Sequence, residues 1–229
     1  MPVTMTAENE ALIRLLKKYD VPYEPSDMSS DLPLQPWRCG RKYVELQKLI
    51  TSGTLEHPSL LRFCRLTGGE TSLEDLLYRE FDLAEFITGH EIVALHAVFT
   101  DGRSGNVIIT MDNGIIGSIE VGNQLPAGQT EVDRHEIVAR RGVGSDIAVD
   151  TQIPQQSVYL MTEDDPAVFT DTDAELYGLD GRQIENVRAK FAYLRDKGSS
   201  AWHCAQDVHL QALVGAALKS NQTHKKITL

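Results

Sequence analysis

The sequence predicts an α+β fold, in which helices cover one face of a largely antiparallel, open-faced β-sheet that follows an N-terminal helix and an extended arm. Apolar residues recur at helical spacing up to Gly89, at alternate positions after it, and at helical spacing again from about residue 181. The tripeptide Asp112-Asn113-Gly114 is a strong signal for a tight hairpin, and strands joined by a hairpin are antiparallel. Helices on both sides of such strands are typical of an α+β domain whose helices pack on one sheet face.

The N-terminal segment predicts a helix followed by an arm. Residues 6–19 carry apolar side chains at helical spacing with Thr6 as the N-cap, and Pro22 ends the pattern. Residues 22–36 are rich in proline and serine, a composition typical of a linker or an extended surface segment.

The remaining elements follow from the same two periodicities. Ser72 is the predicted N-cap of a helix over residues 72–88, and Gly89 ends that helix. Further helices are predicted over residues 41–51, 181–197 and 201–220. Strands are predicted over residues 60–66, 91–99, 106–111, 115–121, 134–141, 157–161, 168–170 and 226–229.

The composition excludes several classes of protein. A chain of 229 residues with 41% hydrophobic residues can bury an ordinary core, and its net charge of −11 disfavours nucleic-acid binding because phosphates are repelled. No apolar run approaches the roughly 20 residues that span a bilayer, and no signal-peptide pattern is visible. Three widely spaced cysteines fit reduced thiols, so we expect a cytoplasmic protein.

The sequence offers no dinucleotide or metal motif. A nicotinamide site needs G-x-G-x-x-G between a strand and a helix, and the nearest string, Gly142-Val143-Gly144, lacks the third glycine. Neither C-x-x-C nor H-x-x-x-H occurs, so spacing indicates no zinc site. We therefore expect no cofactor and no metal, and NAD(P) only if a partner chain supplies a Rossmann domain.

Four segments in order carry a resemblance to one family. They are Arg38 with Tyr43-x-x-Leu46-x-x-Leu49-Ile50-x-Ser52-Gly53; Asp75-Leu76-Leu77-Tyr78-Arg79-Glu80-Phe81-Asp82-Leu83-Ala84; the Asp112-Asn113-Gly114 hairpin; and Asp207-x-x-x-Gln211-Ala212-Leu213 with Ile227-Thr228-Leu229. Residues 37–229 thereby resemble the C-terminal domain of the glucose–fructose oxidoreductase, inositol dehydrogenase and MocA (Gfo/Idh/MocA) family. Residues 1–36 are similar to the end of that family's Rossmann half, so the resemblance divides the chain at residue 36.

Two departures from the family pattern oppose the dehydrogenase activity that the resemblance implies. The family's D-x-x-x-H motif ends in a histidine taken as the general acid/base, whereas Arg79 holds that position here. A guanidinium stays protonated and cannot accept a hydroxyl proton, although it can clamp a carboxylate or phosphate. The E-K-P segment that carries the family's catalytic lysine is also missing from this sequence. No catalytic residue is therefore assigned.

Four residues are candidates for ligand binding: Arg38, Asp75, Arg79 and Asp82. Asp75 and Arg79 are four positions apart and therefore share a helix face, so they are expected either in a substrate pocket or in an ordinary i, i+4 ion pair. Arg38 is expected either in the same pocket or on the surface. The ligand class that the resemblance implies is carbohydrate-like or anionic.

Three functions remain open. The first is a non-catalytic dimeric module that binds a small molecule or regulates a partner. The second is the substrate half of a split NAD(P)-dependent sugar or polyol oxidoreductase, completed by a partner chain. The third is a purely structural or interaction protein. A homodimer is expected because residues 106–111 and 115–121 are apolar at most positions, which indicates that both sheet faces are covered.

Overall fold

The computed structural model describes residues 6–29, 32–69, 71–140, 142–146, 158–160, 167–169 and 173–229. By packing, the chain divides into two compact units. Unit 1 contains residues 1–41 and 150–207, and unit 2 contains residues 42–149 and 208–229. The predicted segments 1–36 and 37–229 divide the chain in sequence order, whereas the compact units combine segments that are distant in sequence.

Unit 1 is built around two helices, α1 (Ala7–Lys18) and α4 (Gly181–Arg195). The Thr6 hydroxyl accepts a hydrogen bond from the Asn9 amide at 3.2 Å, which confirms the predicted N-cap of α1. The unit also contains three 3₁₀ turns, a two-stranded antiparallel ladder and the first part of a further helix. The turns are Pro25–Ser29, Pro36–Cys39 and Ala174–Leu176, and the ladder is β7 (Val158–Leu160) with β8 (Ala167–Phe169). The buried faces of α1 and α4 form its core, with Ala11, Leu12, Leu15, Leu16, Val187 and Phe191.

A buried carboxylate ties the elements of unit 1 together. Asp173 is 2% exposed and accepts hydrogen bonds from the Lys18 ammonium at 2.7 Å and the Tyr19 hydroxyl at 2.7 Å. The Arg188 guanidinium lies 2.6 Å away. Burial raises the pKa of Asp173, but these donors outweigh it and lower the pKa to about 2. Asp173 is therefore ionised at neutral pH.

Unit 2 is an open sheet of seven strands with the spatial order β6-β5-β1-β4-β3-β2-β9. The strands are β1 (Pro58–Gly68), β2 (Ile92–Thr100), β3 (Ser104–Met111), β4 (Ile116–Leu125), β5 (Val132–Ala139), β6 (Gly142–Ser145) and β9 (Ile227–Thr228). β1 pairs with β4 in parallel and every other pair is antiparallel, which confirms the predicted largely antiparallel α+β fold. β6 was not predicted as a strand.

The helices of unit 2 lie on one face of this sheet. They are α2 (Arg41–Thr51), α3 (Leu73–Thr88) and the second part of α5 (Ser200–Thr223), whose first part belongs to unit 1. The Ser72 hydroxyl caps α3, and Gly89 ends it at φ 71°, so both predicted boundaries are confirmed. None of the described helices is long and apolar enough to cross a bilayer.

The two sheet faces differ in exposure because side chains alternate along each strand. The helix-covered face buries Leu61, Phe63, Val107, Ile109, Ile119 and Ile137. On the other face, which we call the open face, Ile108 is 43% exposed and Ile116 is 48% exposed. The strands therefore carry apolar residues on both faces, as the sequence predicted, and only one of these faces is covered within the described chain.

Candidate functional site

A largely buried cluster of charged and polar side chains lies between the helices and the sheet of unit 2. We call it the ion network, and its members are Lys42, Tyr43, Arg65, Arg79, Glu80, Glu131, Asp133, His135 and Asp146. α2 supplies Tyr43, α3 supplies Arg79 and Glu80, and β5 supplies Asp133 and His135. Asp133 and His135 are two positions apart on a strand, so both face the helices.

Arg79 is the centre of the ion network. Its Nη1 donates to Glu80 Oε1 at 2.5 Å, and its two terminal nitrogens donate to the two oxygens of Asp133 at 3.3 and 3.1 Å. Nη2 also donates to the Tyr43 hydroxyl. The pair with Asp133 is bidentate, the strongest geometry for a guanidinium and a carboxylate. The Arg79 side chain is 15% exposed, so the protein, more than water, satisfies its charge.

His135 lies between two carboxylates and is completely buried. Its Nε2 is 2.9 Å from Glu80 Oε2, and its Nδ1 is 3.0 Å from Asp146 Oδ2. An ionised carboxylate only accepts hydrogen bonds, so both ring nitrogens donate and the ring is an imidazolium. Burial lowers the pKa of His135, but the charge of Glu80 and the two hydrogen bonds outweigh it and raise the pKa above 6.5.

The carboxylates are held in the ionised form by the surrounding cations. Lys42 lies 3.2 Å and Arg65 lies 3.3 Å from Asp133 Oδ2, in addition to Arg79. Burial raises the pKa of Asp133, but these cations outweigh it and keep the pKa well below its usual range. The pKa values of Glu80 and Asp146 are also lowered, since their neighbours outweigh the effect of burial. Because their pKa values are lowered, Glu80, Asp133 and Asp146 are weaker proton acceptors than ordinary carboxylates.

The formal charges of the ion network cancel. The cations are Lys42, Arg65, Arg79 and His135, and the anions are Glu80, Glu131, Asp133 and Asp146. A buried charge is costly unless it is paired and hydrogen-bonded. The network meets that condition because each buried charge faces at least one opposite charge within 4 Å.

One trio in the network has side chains of metal-binding type. Ligand atoms of Glu80, Asp133 and His135 all lie within 4.8 Å of one another. A metal requires a deprotonated ring nitrogen, whereas both nitrogens of His135 donate to carboxylates. Arg79 and Lys42 already neutralise Asp133. This arrangement does not fit a divalent cation.

The structure places the four predicted candidates in different environments. Arg79 is in the ion network, whereas Asp75 is exposed on the first turn of α3. The i, i+4 ion pair between them, one of the two arrangements considered, is not formed, because the guanidinium contacts Glu80 and Asp133 instead. Asp82 is completely buried on α3, and Arg38 belongs to unit 1, where its guanidinium lies 5.2 Å from the centre of the Trp202 ring.

Sequence reasoning missed most of the ion network. Asp133, His135 and Asp146 were not predicted as site residues, and His135 was given no role. A usable signal existed in β5, where an acid and a histidine occupy alternate positions on the side that faces the helices. Their partner Arg79 is 54 positions away from Asp133, and no local pattern links the two.

Arg79→Met is expected to destabilise the protein strongly. It removes one partner of a buried pair and leaves Glu80 and Asp133 short of a cation, which costs about 3–5 kcal/mol. Chemical denaturation measures the change in the free energy of unfolding. Lys48→Met is the matched control, since the Lys48 side chain is 62% exposed and its pair with Glu45 contributes at most about 1 kcal/mol. Equal losses in the two variants would contradict the account.

The His135 imidazolium is expected to lose its proton at a higher pH than a free imidazole does, as followed at both ring nitrogens by nitrogen-15 NMR across a pH series. His135→Gln identifies the signals by their loss. Because folding raises the pKa of His135 above 6.5, its stabilising contribution is complete below that value and is lost as pH rises through the folded pKa. The free energy of unfolding should therefore decline above pH 6.5 in the parent protein more than in His135→Gln. A His135 ring that titrates at or below pH 6.5 would refute this assignment.

Comparison with known proteins gives structural likenesses only. No family model matches the sequence, and no curated protein matches it. Among solved structures, a Sinorhizobium meliloti protein provisionally named a myo-inositol dehydrogenase is similar over 99% of this chain and 71% of its own, with a TM-score of 0.63 and 18% identity.

Two further solved structures come from lactobacilli. Myo-inositol 2-dehydrogenase of Lactobacillus plantarum matches 85% of this chain with a TM-score of 0.61 and 13% identity. Scyllo-inositol dehydrogenase of Lactobacillus casei, solved with NAD(H) and scyllo-inositol, matches 85% with the same score and identity. The chain spans 63% of the length of each of these two. The structure therefore has the fold of the Gfo/Idh/MocA-type inositol dehydrogenases, compatible with their C-terminal domain.

Proposed function

We propose that this chain is a non-catalytic relative of the inositol dehydrogenases that acts as a dimeric small-molecule-binding or regulatory module. The observation that carries the proposal is the position of Arg79. Where the family resemblance expects a titratable histidine, a guanidinium is held by Asp133, Glu80 and Tyr43. The fold supports a relationship to oxidoreductases, whereas Arg79 and its partners support a non-catalytic role.

The chemistry of alcohol oxidation explains why the position matters. A general base must accept the hydroxyl proton as hydride leaves, and its pKa should lie near the working pH. Burial lowers the pKa of Arg79, but Glu80, Tyr43 and Asp133 outweigh it and raise the pKa further above its ordinary value. His135 is the nearest alternative, yet it is fully buried and both of its nitrogens are engaged.

The state of Arg79 also bears on the ligand class. Its terminal nitrogens make four hydrogen bonds within the network, to Glu80, Tyr43 and both oxygens of Asp133. A guanidinium engaged in this way has little capacity left for the bidentate clamp that an anion would use. Of the two ligand classes considered, a neutral polyol is favoured over an anion, with the exposed carboxylate of Asp75 as an acceptor for its hydroxyl groups.

The open face supports the dimer. Val98, Ile108, Ile116 and Val143 are each more than 40% exposed, and an apolar surface of this kind typically marks an interaction site. The partner that we propose is a second copy of the chain, which would cover the open face as the helices cover the opposite one.

A second candidate is the substrate half of a split oxidoreductase. It is favoured by the fold, since the inositol dehydrogenases reported above are similar over 85–99% of this chain. A partner with a dinucleotide-binding domain would then supply NAD(P). This candidate requires a proton acceptor other than Arg79 and His135, and Asp75 is the exposed carboxylate on the same helix.

Calorimetry and an activity assay test the proposal. We expect no binding of NAD⁺ or NADP⁺, because this sequence contains no G-x-G-x-x-G motif. We expect no reduction of either nucleotide with myo-inositol, scyllo-inositol or glucose, because Arg79 cannot accept a proton. The Lactobacillus casei scyllo-inositol dehydrogenase serves as the positive control. We also expect a dimer by analytical ultracentrifugation at micromolar concentration. Turnover with either nucleotide, or a monomer, would show that the proposal is wrong.

A further inference from the structure

A polar strip crosses three neighbouring strands on the open face. In one row, Cys64 of β1 is in register with Glu120 of β4 on one side and with Arg134 of β5 on the other. In the next row, Arg62 of β1 lies between Ser118 of β4 and Glu136 of β5. These six side chains, together with Phe63, line a cavity of about 270 Å³.

The two rows differ in how their charges are paired. Arg62 and Glu136 approach each other to 3.9 Å. Glu120 and Arg134 are both exposed and lie on opposite sides of Cys64, two strand spacings or about 10 Å apart. Within the described part of the chain, neither of them forms an ion pair.

We propose that a second copy of the chain pairs with the open face about a two-fold axis that runs along β1, so that Glu120 of each copy meets Arg134 of the other. Rotation about an axis parallel to a strand keeps each position along the strand and exchanges its left and right neighbours. β4 and β5 are the two neighbours of β1, so the rotation places Glu120 over Arg134 twice. The inference rests on the dimer in the proposed function and specifies its symmetry.

The apolar residues of the open face fit the same axis. Leu60 of β1 is in register with Ile116 of β4 and Val138 of β5. The rotation therefore places Ile116, which is 48% exposed, over the Val138 side chain of the second copy. β1 is also the middle strand of the five-strand segment β6-β5-β1-β4-β3, so the two copies overlap across that whole segment. Charge opposes charge of the other sign in one row, and apolar residues meet in another. In the row between them, the two Arg62 side chains face each other, each with Glu136 of its own copy at 3.9 Å.

The proposed axis also predicts the position of Cys64 in the dimer. Because Cys64 lies on the axis strand, the two copies present this thiol to each other. Stacked sheets are about 10 Å apart, beyond the Cα separation that a disulfide spans, but the two sulfur atoms point into the gap and lie within reach of a short bifunctional thiol reagent.

Charge reversal tests the axis. Glu120→Arg and Arg134→Glu each replace two attractive pairs with two repulsive ones, so each should raise the dimer dissociation constant about tenfold or more in sedimentation equilibrium. The double variant Glu120→Arg/Arg134→Glu restores both pairs and should return to within about threefold of the parent. The control is the reversed pair Glu45→Lys/Lys48→Glu on α2, which should leave dimerisation unchanged.

A cross-linking measurement does not depend on those variants folding. In a Cys39→Ser/Cys204→Ser background, a short bismaleimide should convert the protein into a covalent dimer through Cys64, and Cys64→Ser should abolish the product. If neither single reversal changes the dimer dissociation constant, or if the double variant does not restore it, the proposed axis is wrong, although the protein is still a dimer. A dimer without a Cys64 cross-link also overturns the axis. A monomer at micromolar concentration overturns both the axis and the proposed dimeric function.

Discussion

The bidentate pair between Arg79 and Asp133 is the interaction on which the rest of unit 2 depends. It joins α3 to β5 in the interior of the domain, and Glu80, Tyr43, Lys42 and His135 are arranged around it. Removing Arg79 would leave Asp133 and Glu80 short of a buried cation. The network therefore favours the packing of helices on the sheet in which these opposite charges meet.

This constraint also links the fold to the proposed loss of chemistry. A catalytic acid/base must exchange a proton with substrate, so it needs access and a pKa near the working pH. The ion network provides the opposite conditions. Glu80 and Asp133 raise the pKa of Arg79 and keep it charged. His135 is completely buried between Glu80 and Asp146. Arg79 occupies the helix position where the family resemblance expects the catalytic histidine, and here it joins α3 to β5 through Asp133.

The features that the sequence predicted are those with local signals. Ser72 and Gly89 mark the ends of α3 because capping depends on residues within one turn. The hairpin between β3 and β4 follows from residues 112–114 alone. The strand β6 was missed because its four residues, Gly142–Ser145, contain two glycines and have little strand propensity. The parallel pairing of β1 with β4 was also invisible, since it joins segments far apart in the chain.

Most of the ion network could not be predicted from local sequence patterns, because its members are far apart in the chain. The sequence identified Arg79 as the departure from the family pattern and left two alternatives for it, a substrate pocket shared with Asp75 or an i, i+4 ion pair with Asp75, because helix spacing is the only local rule available. The true partners come from α2 and β5, and tertiary packing chooses them. Asp75 stays exposed on the first turn of the same helix.

A double-mutant cycle on Arg79 and Asp133 tests the central claim most directly. The free energy of unfolding is measured for the parent, Arg79→Met, Asp133→Asn and the double variant. If the two side chains form a coupled buried pair, the double variant should lose about 2 kcal/mol less than the sum of the single losses. Losses that add to within about 0.5 kcal/mol would show that the two residues act independently, and would contradict the account.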